Sequence, residues 1–471
     1  MILSKTSLIE PRTLKGFHDY LPAAMIPREW LMDTCRRVYR SFGFCPIDTP
    51  ALEYLDILTG KGSEETDKLM YRFQDHGGRD VGMRFDLTVP LARFVAQHAP
   101  ALGTPFKRYH IGAVWRGENT QDGRYREFMQ CDFDTIGTRS VVADIETALV
   151  IHELLVAIDI EQFTIHVNNR QVLSGLLEKF DLSAAQAPLL RALDKLDKVG
   201  REKVAEEMVH VAGATPAQAN EILALAELSG SHDQMLAQLE RLSSGSERGQ
   251  TGVARLAAVV QAATAAGIPA GRLRIAPSIA RGLDYYTGII YETTLDALPS
   301  IGSVCSGGRY DDLAGLYTKL ELPGIGASLG LDRLLTALEK LGKLTLVGTP
   351  APVFIPLFEE SHLHDYLRLA ARMRAAGLGA EVFPESKKLG QQLKYADRRG
   401  FRLAVVVGAS EFAAGTCQVK DLRAGTSSTL PLSADAAELI AEVRRLLAED
   451  GVPASARPAT GGDRATVTRQ T

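Results

Sequence analysis

One stretch of the sequence decides the fold: FKRYHIGAVWRGENTQDGRYREFMQCDFDTIG, residues 106–137. From Lys107 to Trp115 the pattern has period two, which predicts a strand. A partner strand is predicted from Tyr125 to Thr135, and the turn-forming residues between the two predict an antiparallel hairpin with a long loop. Antiparallel sheets can leave one face open, as the floor of a substrate site requires.

The second predicted strand has one apolar and one polar face, because successive side chains of a strand point to opposite sides. The polar face consists of Gln130, Asp132 and Asp134. Two interpretations are open. Polar residues such as Gln130 and Asp134 hold an amine or ring nitrogen of a substrate, or Asp132 and Asp134 lie on a wet outer face of the sheet.

Helices and strands are predicted on both sides of the hairpin. Residues Ile26 to Phe42 have the spacing of an amphipathic helix. An Ala/Leu-rich run from Asp181 to Gly267 indicates an inserted helical subdomain, after which strands resume at Leu273. A glycine turn is predicted at SGGRYD, residues 306–311, and GIGASLGLDRLL, residues 324–335, predicts a strand that turns into a helix.

Gly and Pro residues bracket a junction from Gly342 to Pro352. Beyond it strands alternate with helices, as is typical of a small α/β domain. The predicted fold class is α+β. An antiparallel-sheet domain spans residues 1–341 and includes a helical insertion at 175–270. A linker at 342–351, an α/β domain at 352–449 and a disordered tail at 450–471 follow.

The composition excludes a disordered or collagen-like chain, because 45% hydrophobic and 23% charged residues are ordinary globular values. The net charge is −4, so an RNA partner must be bound by local basic patches. Five scattered cysteines without a C-x-x-C pair argue against a disulfide framework and a zinc site. We find no secretory signal and no membrane span of about 20 apolar residues, so a cytoplasmic protein without a membrane partner is expected.

Several arginines stand beside carboxylates, in a chain with no P-loop, no correctly spaced G-x-G-x-x-G and no H-E-x-x-H. Singly, such pairs are typical of solvated ion pairs, which contribute little stability. Together they suit phosphate oxygens, which a guanidinium binds bidentately. The pairs are Arg116 with Glu118, Arg124 and Arg126 with Glu127, Arg281 with Asp284, and Arg333 with Asp332.

Several longer peptides carry a family resemblance. Residues 106–137 resemble motif 2 of class II aminoacyl-tRNA synthetases, and GIGASLGLDRLL resembles their motif 3. ARGLDYYTGIIYE, residues 280–292, and SGGRYDDL, residues 306–313, resemble the two signature peptides of the histidine–tRNA ligase family. Peptides near both termini agree, and the resemblance covers about residues 10–447.

This resemblance implies a class II catalytic domain with a helical insertion, followed by an anticodon-binding α/β domain. The implied enzyme activates L-histidine with ATP, giving histidyl-adenylate and pyrophosphate. It then transfers the histidyl group to the 3′ end of histidine tRNA and releases AMP. The segment from Ile26 to Pro50 resembles motif 1, the class II dimer element, which implies a homodimer.

Two other functions compete with this one. A regulatory paralogue activates ATP phosphoribosyltransferase in histidine biosynthesis, but it typically lacks the C-terminal domain and an intact first signature peptide, and this chain has both. A non-catalytic sensor of RNA or amino acids would tolerate the loss of Arg116, Arg281 or Arg333, and all three are present.

The resemblance also implies site residues, position by position. Arg116, Arg281 and Arg333 would be catalytic, and Mg²⁺ would accompany the ATP without side-chain metal ligands or a tightly bound cofactor. Many bacterial members carry glutamate where this chain has Asp86 and Asp134, so the pocket here must be closed by one methylene elsewhere. ATP would be bound by Arg116, Glu118, Arg124 and Arg333. Histidine would be bound by Asp86, Thr88, Gln130, Asp134, Tyr285 and Tyr286.

Overall fold

A computed structural model describes residues 8–60, 64–279, 286–344 and 348–449. The chain divides into two compact units. The larger comprises the described residues up to His18 together with those from Leu31 to Lys343, and the smaller comprises Asp19 to Trp30 and the described residues from Leu344 onward. The tail predicted at 450–471 lies outside the described residues.

The strands, numbered along the described part of the chain, are β1 (Cys45–Pro46), β2 (Leu52–Tyr54), β3 (Arg72–Gln74), β4 (Asp80–Met83), β5 (Phe106–Trp115), β6 (Glu127–Ile136), β7 (Phe163–Asn169), β8 (Leu273–Ile275), β9 (Ile289–Leu295), β10 (Ser303–Tyr310), β11 (Gly324–Gly330), β12 (Val353–Ile355), β13 (Ala380–Val382), β14 (Leu403–Val406), β15 (Thr416–Asp421) and β16 (Ser427–Pro431).

The α-helices of the same part are α1 (Pro22–Ser41), α2 (Leu55–Thr59), α3 (Glu64–Leu69), α4 (Thr88–Leu102), α5 (Val141–Ala157), α6 (Arg170–Lys179), α7 (Gln186–Leu193), α8 (Leu196–Val199), α9 (Arg201–Ala212), α10 (Pro216–Ala226), α11 (His232–Ser243), α12 (Glu247–Ala265), α13 (Leu331–Lys340), α14 (Leu363–Ala375), α15 (Leu389–Arg399), α16 (Ala409–Ala414) and α17 (Ala437–Glu449). In these ranges no helix is both long and apolar enough to cross a membrane.

The larger unit is built on an eight-stranded sheet in the order β1-β5-β6-β11-β10-β9-β7-β8. Its inner pairs are antiparallel, and only the outermost pairs, β1 with β5 and β7 with β8, are parallel. A small sheet, β2-β4-β3, belongs to the same unit, while the smaller unit has a five-stranded sheet, β13-β12-β14-β15-β16. The predicted α+β class, with a large antiparallel sheet and a C-terminal α/β region, is confirmed.

The predicted hairpin is confirmed, because β5 and β6 pair antiparallel from Phe106 opposite Ile136 to Trp115 opposite Glu127. Its apolar face packs against α1, where the ring of Tyr39 lies 5.7 Å from that of Tyr109 and 5.2 Å from that of Phe133.

The polar face of β6 is buried, so the interpretation that Asp132 and Asp134 lie on a solvent-exposed outer face is wrong. Gln130, Asp132 and Asp134 are only 9%, 2% and 3% exposed. The chain between β4 and α4 crosses this face and is bonded to the hairpin. Arg84 Nε donates to Ala113 O at 2.9 Å, and the next bonds along this segment are from Arg116 Nε to Phe85 O at 3.0 Å and from Arg108 Nη2 to Leu87 O at 3.4 Å.

The glycine turn predicted at SGGRYD is also wrong, because this peptide continues β10 through Tyr310. A Cβ at Gly307 would collide with Gly326 O of the neighbouring strand β11, and a Cβ at Gly308 would lie 2.6 Å from Ile289 O of β9. These glycines therefore permit a close approach of strands rather than a reversal of the chain.

Candidate active site

Buried polar atoms without a hydrogen-bond partner are concentrated on the polar face of β5 and β6. An unsatisfied buried polar group costs about 1–3 kcal/mol, so such a concentration is typical of a site that binds a polar ligand. Within the described residues the atoms on this face include Arg108 Nε and Nη1, His110 Nδ1, Gln130 Oε1 and Asp132 Oδ1.

Asp134 lies at the centre of this face. Its Oδ2 is 2.6 Å from Nη2 of the fully buried Arg108, and its Oδ1 accepts a hydrogen bond from the Tyr310 hydroxyl. Burial raises the pKa of Asp134, while the nearby Arg108 guanidinium and the Tyr310 hydrogen bond act in the opposite direction. Gly326 stands opposite Asp134 in β11, and a Cβ there would collide with the carboxylate. The resulting group is a rigidly held hydrogen-bond acceptor.

Tyr286 lies close to this acceptor. Its ring atom Cδ1 is 3.0 Å from the position that a Cβ on Gly308 would take, and the ring packs in one cluster with Tyr310 and Leu91. Since Tyr310 bonds to Asp134, the structure brings two sequence-predicted residues, Tyr286 and Asp134, to the same side of the sheet. The predicted site residues Arg281 and Tyr285 lie outside the described residues.

Asp86 and Thr88 stand at the start of α4. Asp86 Oδ1 accepts from the backbone N–H groups of Thr88 at 3.0 Å and Val89 at 2.9 Å, an arrangement that satisfies donors at a helix N-terminus. The negative charge of Asp86 contributes to raising the pKa of both Asp132 and Asp134. The three carboxylates therefore belong to one electrostatic cluster, in which a cation would be stabilised.

Arg116 follows β5 directly and is held between two aromatic rings. Its guanidinium carbon lies 4.3 Å from the ring centroid of Phe85 and 5.1 Å from that of Phe128. Glu118 is 3.8 Å from Arg116 on one side and 3.8 Å from Arg124 on the other. Such a pair of arginines bridged by one carboxylate can present fixed positive charge to an anionic group.

The hairpin loop packs against the start of α13, where Arg333 is located. A Cβ on Gly123, whose φ is +68°, would lie 3.2 Å from the Arg333 Cα. Arg333 Nη1 donates to Ser303 O at 2.6 Å, and the neighbouring Asp332 accepts from the Met129 N–H at 2.8 Å. The loop that carries Arg124 and the start of α13 that carries Arg333 are therefore in contact.

The sequence analysis missed Arg108, His110 and Tyr310. The signal for Arg108 was available, because the hairpin register places it directly opposite Asp134. His110, opposite Asp132, is buried with Nε2 2.9 Å from Asp48 Oδ1. Burial, with Arg108 and Arg84 nearby, lowers the pKa of His110 to about 3, so this histidine is neutral at physiological pH.

Comparisons with known proteins place this geometry in a family context. The family model described as histidyl-tRNA synthetase matches residues 16–334, and the model described as anticodon binding domain matches residues 352–446. A curated histidine–tRNA ligase from Rhodopirellula baltica is 61% identical over 435 residues, which are 92% of this chain and 98% of the relative.

Solved structures agree at the level of the fold. The crystal structure of histidyl-tRNA synthetase from Nostoc sp. PCC 7120 aligns with a TM-score of 0.85 and 37% identity, over 93% of this chain and 100% of that one. A Bacillus halodurans structure described as an ATP phosphoribosyltransferase regulatory subunit/histidyl-tRNA synthetase aligns with a TM-score of 0.69 and 20% identity, over 83% of this chain and 97% of that one. This second likeness concerns the fold alone.

The buried Arg108–Asp134 pair generates a prediction about stability. We expect Arg108→Met to cost about 3–5 kcal/mol, because it leaves a buried carboxylate without its cation. The double variant with Asp134→Asn should be less destabilised than the sum of the two single variants, by about 1–3 kcal/mol. Urea unfolding of the four proteins measures this coupling.

The exposed pair Arg139–Glu321, at 2.7 Å, is the matched control. Its cycle, with Arg139→Met and Glu321→Gln, should show a coupling below about 1 kcal/mol, since both partners are solvated. If the changes in the free energy of unfolding at Arg108 and Asp134 were additive, the two residues would not be coupled and the prediction would be wrong.

Proposed function

The chain belongs to the histidyl-tRNA synthetase family, and on this premise we propose how its own residues carry out the reaction. The activity is that of a histidine–tRNA ligase. L-Histidine and ATP form histidyl-adenylate and pyrophosphate, and the histidyl group then passes to the 3′ end of histidine tRNA with release of AMP. The shared fold does not distinguish the ligase from the regulatory paralogue. The sequence identity to curated ligases and the C-terminal domain favour the ligase, so the regulatory paralogue is less well supported.

Histidine binds on the buried face of β6, and the observation that carries this proposal is the rigid acceptor Asp134. Its carboxylate accepts a hydrogen bond from an imidazole N–H, and Tyr286 packs beside the ring. The assignment of Tyr285 to the same substrate rests on the family membership. The α-ammonium is held at the other end by Asp86, Thr88 and Gln130. The carboxylate cluster supports this assignment, because it favours a cation where the ammonium would lie.

The arginines at the loop end of the hairpin bind ATP. Arg116, which is fixed by the rings of Phe85 and Phe128, binds the α-phosphate. Glu118, Arg124 and Arg333 bind the rest of the nucleotide. Arg281 reaches both the histidine carboxylate and the α-phosphate, a role that rests on the family membership. Fixed positive charge at this point stabilises the negative charge that develops in the transition state.

Neither step needs a protein nucleophile. A histidine carboxylate oxygen attacks the α-phosphorus, and the bond from phosphorus to the pyrophosphate oxygen breaks. A terminal ribose hydroxyl of the tRNA then attacks the carbonyl carbon, and AMP leaves. Mg²⁺ enters with ATP as part of the substrate. That no side chain is a metal ligand, that no cofactor is tightly bound, and that the protein is cytoplasmic stay predictions.

The amino acid specificity of ATP–pyrophosphate exchange tests the histidine site. We expect histidine to be preferred over the other nineteen amino acids by ~10⁴ or more, because an analogue without ring nitrogens leaves buried polar groups unpaired. Asp134→Asn should raise the KM for histidine and leave the KM for ATP unchanged. Exchange with phenylalanine or glutamine within tenfold of histidine would disprove the assignment.

The C-terminal α/β region, residues 352–449, reads the anticodon in this proposal. It follows the linker at 342–351, and the catalytic domain at 1–341 carries the helical insertion at 175–270. A basic face supports the RNA contact, since Lys394 and Arg398 are exposed four residues apart on α15 and Lys387 is exposed just before this helix begins. Such a face binds phosphates without regard to sequence, so other groups must read the bases.

Charge reversal on α15 tests this role. Lys394→Glu/Arg398→Glu should lower kcat/KM for tRNA by about tenfold or more, because phosphate contacts are lost. For the same reason kcat/KM of the variant should depend less steeply on salt concentration than that of the wild type. Exchange without tRNA should not change. The control is Arg368→Glu/Arg372→Glu, which makes the same charge change on exposed residues of α14. If kcat/KM for tRNA fell equally in both double variants, the specific role of α15 would be disproved.

We also propose that the protein is a homodimer. Although α1 resembles the class II dimer element, its Leu31, Cys35 and Tyr39 are buried within the subunit. The stronger support is the β2-β4-β3 sheet, where Tyr54 and Phe73 stand opposite Val81 and so share one face. Their exposures, 53% and 49%, leave an apolar surface that a second copy would cover.

Sedimentation tests the dimer. The wild-type protein at micromolar concentration should sediment at twice its 51.1 kDa mass. Tyr54→Glu/Phe73→Glu should sediment as a monomer, because it would bury two charges in the interface. Leu367→Glu, at a leucine of α14 that is 47% exposed, is the control and should remain dimeric. A wild-type species of 51.1 kDa alone would refute the proposal.

A further inference from the structure

The amide of Gln130 is held in one orientation by a serine on the next strand. Gln130 Nε2 donates to Ser328 Oγ at 2.7 Å, whereas Gln130 Oε1 is buried without a hydrogen-bond partner. Ser328 lies in β11 directly opposite Asp132 of β6, so the two side chains share a face of the sheet. The Ser328 hydroxyl is also close enough to the Asp132 carboxyl to lower the pKa of that carboxyl.

The direction of these two contacts follows from the chemistry of the groups. An ionised carboxylate only accepts, and a hydroxyl has a single proton to donate. Ser328 accepts from Gln130, and its own proton is then directed toward the ionised carboxylate of Asp132 on the same face. Only the NH₂ end of the amide can supply that bond, so Oε1 is turned away from Ser328.

We propose that Ser328 and Asp132 are positioning residues, which orient the Gln130 amide so that Oε1 accepts a hydrogen bond from the α-ammonium of histidine. The inference rests on the proposed role of Gln130 and adds the two residues that decide which end of its amide meets the substrate. An amide turned the other way would present N–H donors to a cation, and the contact would become repulsive.

The surroundings of Asp132 are consistent with this role. Burial raises the pKa of Asp132 to about 7, and the Arg108 guanidinium and the Ser328 hydroxyl favour its ionised form. Asp132 lies on the strand between Gln130, which contacts the ammonium in the proposed site, and Asp134, which contacts the ring. An arriving ammonium favours the ionised carboxylate further, which is the form that fixes the orientation.

Two substitutions disturb the orientation in different ways. Ser328→Ala removes the acceptor that holds the NH₂ end. Asp132→Asn is isosteric but introduces a donor, so Ser328 can accept from the new amide and give its proton to Gln130 Oε1 instead. We expect both variants to raise the KM for histidine in pyrophosphate exchange by about 10- to 100-fold, with the KM for ATP unchanged.

Imidazolelactate separates positioning from a general loss of structure. It carries a hydroxyl in place of the amino group, so its inhibition constant should be the same in wild type and in both variants. Ser328→Thr keeps the hydroxyl and should restore the KM for histidine. Thr293→Val is the matched control, because it removes a buried hydroxyl from the opposite face of the same sheet and should leave every constant unchanged.

Gln130→Ala distinguishes the failure of this inference from the failure of its premise. If Gln130→Ala raises the KM for histidine while Ser328→Ala and Asp132→Asn do not, the positioning role is wrong and the contact of Gln130 stands. If Gln130→Ala has no effect on that KM, the proposed role of Gln130 is wrong and the inference falls with it. A parallel rise in the inhibition constant of imidazolelactate would overturn the inference in favour of a structural role. Should Asp132→Asn fail to fold, Ser328→Ala with Ser328→Thr decides the question.

Discussion

The site depends on cations and hydrogen-bond donors that compensate the negative charge of its buried carboxylates. A buried carboxylate is costly unless a cation and hydrogen-bond donors surround it. Asp134 meets this requirement with the guanidinium of Arg108 from the paired strand and the hydroxyl of Tyr310 from β10. Because the three groups come from three strands, the register of the sheet and the placement of the acceptor are fixed together.

Glycine makes this arrangement sterically possible. Gly308 and Gly326 face each other across β10 and β11, where a Cβ on Gly308 would meet Ile289 O of β9 and a Cβ on Gly326 would meet the Asp134 carboxylate. A floor without side chains at these points leaves room above the sheet for Tyr286 and for a ligand. The same glycines explain why a pattern that usually marks a turn occurs here inside a strand.

Local pattern was sufficient for the hairpin, for the strand that leads into α13 and for the polar face of β6. It was not sufficient for the burial of that face, because alternation tells which side chains point together but not which distant segment covers them. The covering segment between β4 and α4 is remote in sequence from β6. Arg108 was missed for a related reason: its partner becomes evident only when the two strands are aligned residue by residue. Arg281 and Tyr285 rest on the family resemblance alone.

The hairpin also gives the proposed site a direction. β5 ends at Trp115, just before Arg116 and the loop, and β6 then runs away from the loop, so Gln130 lies nearer the arginines than Asp134 does. At about 3.4 Å per residue, the Cα atoms of Gln130 and Asp134 are about 14 Å apart along the strand, with Asp132 between them. A histidine whose ring meets Asp134 and whose ammonium meets Gln130 must therefore point its carboxylate toward Arg116. In the proposed site this orientation directs the attacking oxygen toward the arginines that would hold the α-phosphate. The separation of carboxylates from arginines along one hairpin would therefore order the amino acid for reaction as well as bind it.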